Sequence, residues 1–333
     1  MLIITLFSGI PFVSAAGSIG VVVGQTADYT YAVSGTVRNS DGTLNRTIPY
    51  TVSYLEKITI VLVSGTNVTF QFERDSLNGT TEAGTSWIDV SNGNGTGYLV
   101  VVSSNVNDDG FLYPDAQSSG SPAVNETVSL SSLDGIITAN HLSYVSTDEN
   151  QTYSEDYYWE RSTGLMLKWT ISGTEVVEDT GQIETVTVHF QRVDLQHLFY
   201  PFIDNKEYAV TVDSNSTILG FEFNQTEKNL SMNVTGISGT AGYCNVLIPD
   251  GLLFGTFSLS NDGYPLVEGT DYSKTHEGGY YKFNINYIHS SHTITIVASD
   301  AVPEFPSWLI LPLFMAAMLM ATIVYRKRLN RLQ

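Results

Sequence analysis

The chain has 333 residues, 34 of them acidic and 15 basic, with a net charge of −19. So acidic a surface repels phosphate backbones and anionic headgroups, which excludes nucleic-acid binding and peripheral docking on an acidic membrane. A single cysteine, Cys244 in GYCNVLIP, rules out an internal disulfide, and its apolar strand setting marks it as a buried structural residue.

At the N-terminus, MLIITLFSGIPFVSAAGSIG carries an apolar stretch followed by Val13-Ser14-Ala15 and Ser14-Ala15-Ala16, both suited to signal peptidase. Residues 1–16 are therefore expected to be an export signal. No basic residue precedes the apolar stretch, so either the signal is atypical or the start lies upstream of Met1.

From about residue 25 the pattern is period-two alternation. Val68, Phe70 and Phe72 oppose Thr69, Gln71 and Glu73. Leu165, Leu167, Trp169 and Ile171 oppose Met166, Lys168 and Thr170. Val186, Val188 and Phe190 oppose Thr187, His189 and Gln191, and Tyr281, Phe283, Ile285 and Tyr287 oppose Lys282, Asn284 and Asn286. One-sided burial of this kind predicts antiparallel sheets. Turns are expected at Asp41-Gly42, Asn78-Gly79, Asn94-Gly95 and Asn261-Asp262-Gly263, and at Ser162-Thr163-Gly164 inside a hairpin. The expected fold class is all-β: a long-stranded domain over 17–196, a junction at 197–208, and a β-sandwich over 206–298.

Ten N-x-[S/T] sequons occur, at Asn45, Asn67, Asn78, Asn94, Asn125, Asn150, Asn215, Asn224, Asn229 and Asn233. With 21 Asn and 69 Ser plus Thr in the chain, chance supplies roughly four. The excess points to a glycosylated, exported ectodomain.

The C-terminus fits export. After a Pro-rich linker at 299–306, residues 307–325 run without a charge. As a helix they would span about 28 Å, close to a bilayer core. Trp308 and Tyr325 mark the two edges. Arg326, Lys327, Arg328 and Arg331 follow within 326–333, which predicts a cytoplasmic tail and an outside body. That body carries 34 acidic against 11 basic residues, a net of −23.

Pro303-Glu304-Phe305-Pro306, an apolar run and a basic cluster together resemble the PEF-CTERM sorting signals of archaeal surface proteins. The resemblance implies an archaeosortase-like processing enzyme as a partner. The mature protein would then exchange its helix for a lipid, or else keep the helix as its anchor. NVTGISGTAGYCNVLIPDGLL and YIHSSHTITIVAS resemble the Ig-like β-sandwich that often precedes such tails. The aromatics before STGLML loosely resemble the curved antiparallel sheet of lipoprotein-carrier half-barrels. Neither resemblance brings catalytic residues.

Nucleophile elbows, zinc motifs and phosphate loops are absent from the sequence. His289 and His292 have metal-like spacing, but on a strand they point to opposite faces. Asn105, Asn107 and Asp109 imitate a calcium loop, with Asp115 one place too early to close the shell. Asp148, Glu149, Glu155, Asp156 and Glu160 form an acidic hairpin and are the candidates for a carboxylate-dependent hydrolase. The leading expectation is a non-enzymatic, membrane-anchored surface protein without cofactors, of structural, adhesive or presentation role, with envelope proteins or glycans as partners. The alternative is an apolar-ligand module using Phe70, Phe72, Trp169 and Phe190.

Overall fold

The computed structural model describes residues 18–97, 99–119, 122–147, 151–177, 179–203 and 206–301. The expected signal at 1–16, Asp148, Glu149, the Asn150 sequon, the Pro303–Pro306 motif, the 307–325 span and the basic tail lie outside them. The described chain is nearly all strand, paired antiparallel. Among the described residues, no helix is long and apolar enough to cross a membrane.

The first nine strands are β1 (Thr26–Arg38), β2 (Leu44–Ser64), β3 (Asn67–Ser76), β4 (Thr81–Asp89), β5 (Glu126–Ser132), β6 (Gly135–Thr147), β7 (Gln151–Glu160), β8 (Met166–Val177) and β9 (Gln182–Arg192). They pair in the order β4-β3-β2-β1-β9-β8-β7-β6-β5. Sequence neighbours β4 and β5 thus sit at opposite edges, roughly 38 Å apart at ordinary strand spacing. Residues 90–125 bridge that distance by crossing one sheet face. Val90, Val101, Val102, Leu112, Tyr113 and Val124 of this crossover are buried against Tyr29, Ile58, Ile60, Phe70, Trp159 and Phe190.

The crossover is stitched to the β7–β8 hairpin. Val102 N donates to Gly164 O (2.9 Å), Met166 N to Val100 O (3.0 Å) and Asn105 N to Arg161 O (2.6 Å). Gly164 lies in the left-handed region (φ +72°), and a Cβ there would stand 2.1 Å from Val102 O. Gly164→Ala should therefore cost about 2 kcal/mol, seen as a lower denaturant midpoint at unchanged slope.

The remaining strands are β10 (His197–Phe199), β11 (Phe202–Ile203), β12 (Lys206–Glu207), β13 (Val210–Ser214), β14 (Thr217–Asn224), β15 (Asn229–Thr235), β16 (Ala241–Pro249), β17 (Leu253–Asn261), β18 (Tyr264–Pro265), β19 (Tyr272–Glu277), β20 (Tyr280–Ile288) and β21 (Ser291–Ala301). β10-β13-β16-β20-β19 form a five-stranded sheet. It faces β18-β17-β21-β15-β14 across a core that includes Val212, Cys244, Val246, Phe283, Leu230, Met232, Ile294 and Ile296. At the β17–β18 turn, Asp262 and Gly263 both have positive φ (51° and 79°), the mirror-image turn that suits a two-residue hairpin.

Two expectations need correction. The modules do not own separate sheets: Gly220 and Phe221 of β14 pair with Thr51 and Tyr50 of β2, so one 14-stranded sheet runs through both. β2 allows this by its length of 21 residues. Its Tyr54–Ser64 half pairs with β3, leaving Tyr50 and Thr51 free for β14. Ala32, Tyr50 and Val52 accordingly join the sandwich core. Second, Leu167 does not share a face with Trp169. A bulge between Tyr158 and Trp159 breaks the register with β8 and sends Leu167 to the other side, where it packs with Ala139 and Leu195.

Candidate functional site

The first sheet has two chemically distinct faces. On the crossover face, Tyr54, Tyr31, Phe190, Trp169, Tyr157 and Leu142 fall in register across six adjacent strands. Rings within the row stack: Tyr31 on Tyr54 at 4.5 Å and Tyr157 on Trp169 at 6.1 Å. The next row holds Val33, Val188, Ile171 and Glu155, and the row after it Gly35, Val186, Gly173 and Tyr153. Val33, Ile171, Val186 and Val188 are half-buried yet belong to none of the hydrophobic clusters. They form an apolar strip beyond the edge of the crossover.

This changes the expected ligand face. Phe70 and Phe190 are closed in beneath the crossover, at 3% and 8% exposure. Phe72 lays its ring over Gly84 and beside Arg74, whose guanidinium is 5.1 Å from the ring centroid. Arg74 is itself paired with Glu56 (2.6 Å). Of the four predicted residues, Phe190 and Trp169 border the strip in register, and of these two Trp169 is the more exposed. The Trp169 indole nitrogen is buried and has no hydrogen-bond partner among the described residues.

On the opposite face, a polar row runs Glu126, His141, Tyr158, Lys168 and Gln191. His141 touches Glu126 through Nδ1 (3.1 Å) and Asp156 through Nε2 (3.0 Å), and stacks on Tyr158 at 4.3 Å. The Lys168 ammonium rests 4.7 Å from the Tyr158 ring centroid. Burial lowers the Lys168 pKa and the Asp156 charge partly restores it. Burial first, and then the Lys168 charge, push the His189 pKa down to about 4. His197 is pushed down to about 4 as well, chiefly by burial, with smaller contributions from His189 and Lys168. Alternation had placed Lys168 and His189 on the polar side of their strands. Their meeting depends on the β8–β9 register, which local pattern does not specify.

The other candidates are held by neighbours. Asn107 Oδ1 accepts from Arg161 (2.6 Å), which puts a guanidinium where a calcium ion would need an acceptor. Asp109 Nα bonds to Val124 O, Asn105 adopts positive φ, and Asp115 lies in the short 3-10 helix Pro114–Ser119. Among the described residues, no three His, Cys, Asp or Glu side chains gather as a metal site. Glu155 accepts from the Tyr157 hydroxyl. Glu160 accepts from Ser162, Thr163 and Arg192, and Arg192 also grips Asp194 at 2.6 and 2.9 Å. Arg192→Met would strand both carboxylates in half-buried positions; the expected loss is about 2 kcal/mol in denaturant unfolding.

His289 is buried between Ser216 (2.8 Å) and Thr240 (2.6 Å), while His292 bonds Asp262 (2.8 Å) and Ile288 O (2.8 Å). The two imidazoles serve separate turns. The Cys244 thiol is fully buried, and burial pushes its pKa up to about 12. Of the described sequon residues, Asn45, Asn67, Asn78, Asn94, Asn125, Asn215 and Asn233 are exposed; Asn224 and Asn229 are half-buried.

No known family profile matches the chain. No curated relative matches it either. One solved structure with some likeness is the crystal structure of MucB in complex with MucA(peri), 13% identical, aligned over 83% of this chain and 90% of that one. Its TM-score of 0.23 is too low to carry an argument about this chain's site.

Proposed function

We propose that this is a non-enzymatic surface protein, exported and held at the membrane by residues 307–325, whose first sheet presents an apolar strip to a partner. Retention of the helix and its replacement by a lipid, through an archaeosortase-like enzyme acting near Pro303–Pro306, are both consistent with this reading. Seven exposed sequon residues support glycosylation of the outward body. The observation that carries the proposal is the strip of Val33, Ile171, Val186 and Val188, half-buried by strand neighbours but packed into no core. Continuous apolar surface outside a core marks a contact site more often than an accident of folding.

Two occupants fit. An envelope protein or glycan-bearing neighbour would give an adhesive or presentation role. An apolar small molecule would make the protein a binding module, and one that also carries an acceptor, such as a lipid ester, would suit the Trp169 indole N–H, which has no acceptor among the described residues. A photo-crosslinking amino acid at Val188, in native membranes, separates them. A heavy, discrete adduct means a protein partner, and a small mass increment means an apolar ligand. The same probe at Thr187, on the polar face, should give neither. Equal labelling from both positions, or none from Val188, would remove the strip from consideration.

A further inference from the structure

The face of the first sheet that carries the apolar strip also carries carboxylates, and the strand register fixes where. Val33, Val188, Ile171, Glu155 and Tyr144 make one row across β1, β9, β8, β7 and β6. Gly35, Val186, Gly173 and Tyr153 make the next, and Val37, Glu184, Glu175 and Gln151 the one after. Successive rows are about 7 Å apart, because residues two apart on a strand share a face. Tyr153 lies over Gly173, where an added Cβ would meet its ring at 3.1 Å, and is 45% exposed. Tyr144, at the end of the first row, is 58% exposed.

Glu175 and Glu184 stand directly opposite each other on neighbouring strands. Like charges in that position repel and cost the free sheet stability. Among the described residues, neither side chain takes part in an ion pair or a hydrogen bond. The cation on their row, Arg46, pairs in register with Val37, two strands from Glu184 and about 10 Å away. Glu155 sets a third carboxylate at the other side of the valines, where it accepts from the Tyr157 hydroxyl. Apolar rows flanked by uncompensated carboxylates suit one kind of occupant. An anionic lipid would set its phosphate against Glu175 and Glu184. A second copy of this face would bring two sets of carboxylates together. A cation beside an apolar ridge relieves the repulsion and covers the valines at once. Resting on the reading of the strip as a contact site, we propose that it docks a basic amphipathic segment of a partner protein. The apolar side of that segment lies on Val33, Ile171, Val186 and Val188, and its Lys or Arg side chains reach Glu175 and Glu184.

The test uses the full-length protein in neutral detergent and two fluorescent helical peptides, each about 14 residues long, enough to cross four strands. One has Leu on one side and Lys on the other; its counterpart has Glu in place of Lys. The Lys peptide should bind saturably and the Glu peptide should not. Glu175→Gln with Glu184→Gln should weaken the Lys peptide about tenfold. The same variant should melt at a higher temperature, as relief of a like-charge contact requires. Val186→Thr with Val188→Thr keeps the β-branched shape and should weaken the peptide as well. Glu222→Gln with Glu277→Gln removes two exposed charges from the sandwich and should leave the affinity unchanged. An equal loss in the sandwich variant, or none in the Glu175, Glu184 variant, would reduce the binding to attraction by net charge and overturn the assignment. Photo-crosslinking at Val188 in native membranes keeps the two readings apart. A protein adduct that is lost in the Glu175, Glu184 variant supports both. A protein adduct kept in that variant, or a small-molecule adduct, overturns the basic partner and leaves the contact site in place. No adduct at all removes the contact site and the partner with it.

Discussion

Acidification from pH 7 to pH 4 is expected to weaken this fold by several kcal/mol, and two imidazoles should carry much of the loss. His189 and His197 have pKa values pushed down to about 4, chiefly by burial, with the Lys168 charge adding to it at His189 and the His189 and Lys168 charges at His197. An imidazole in the unfolded chain titrates near 6.5. Between those two values the unfolded chain takes up protons that the folded chain refuses. Stability therefore falls as pH drops from about 6.5 toward 4, and the loss stops growing below that. The gap is worth roughly 3 kcal/mol per imidazole, and less than twice that for both, because the two interact with each other. Urea unfolding at pH 7, 5.5 and 4.5 measures it. A His189→Gln, His197→Asn variant should flatten the slope over that window, leaving the ordinary carboxylate contribution. Parallel slopes in the two proteins would mean that the imidazoles are not held neutral by the fold.

The second large effect is expected at Trp159. Its side chain is fully buried, at the meeting of sheet and crossover. Its indole donates to Leu99 O at 2.7 Å, and its ring stacks on Tyr157. Trp159→Ala removes the largest buried side chain of the first module and strands the Leu99 carbonyl. The cost should be about 4 kcal/mol. Trp159→Phe keeps most of the ring and should lose about 1–2 kcal/mol. Residues 90–125 should become protease-sensitive in the alanine variant before the sandwich does. A loss under about 1 kcal/mol in Trp159→Ala would show that the crossover is pinned elsewhere.

Strand type was legible wherever one face is buried and the other wet. In β20, Phe283 and Ile285 are buried while Lys282 and Asn286 are exposed, in step with the alternation. Asp262-Gly263 forms its turn because both positions need positive φ. Alternation failed at Leu167, since a bulge inserts a residue without leaving a mark in the hydrophobic pattern. It failed more widely at residues 90–125. Their burial comes from lying across the sheet face, and they carry no period of their own. The polar row around Lys168 was half legible. Alternation put Lys168 and His189 on the polar sides of their strands, but the β8–β9 register that sets Lys168 opposite Gln191 and Thr170 opposite His189 leaves no mark in the local pattern. His197 reaches them by long-range packing, which no local rule supplies.

The proposed role of the apolar strip depends on the proposed setting of the body outside the cell. Limited proteolysis of intact cells probes that setting directly. The account predicts that added protease removes the body spanning residues 18–301 while cytoplasmic markers survive. A body left whole on intact cells, yet digested after lysis, would contradict it.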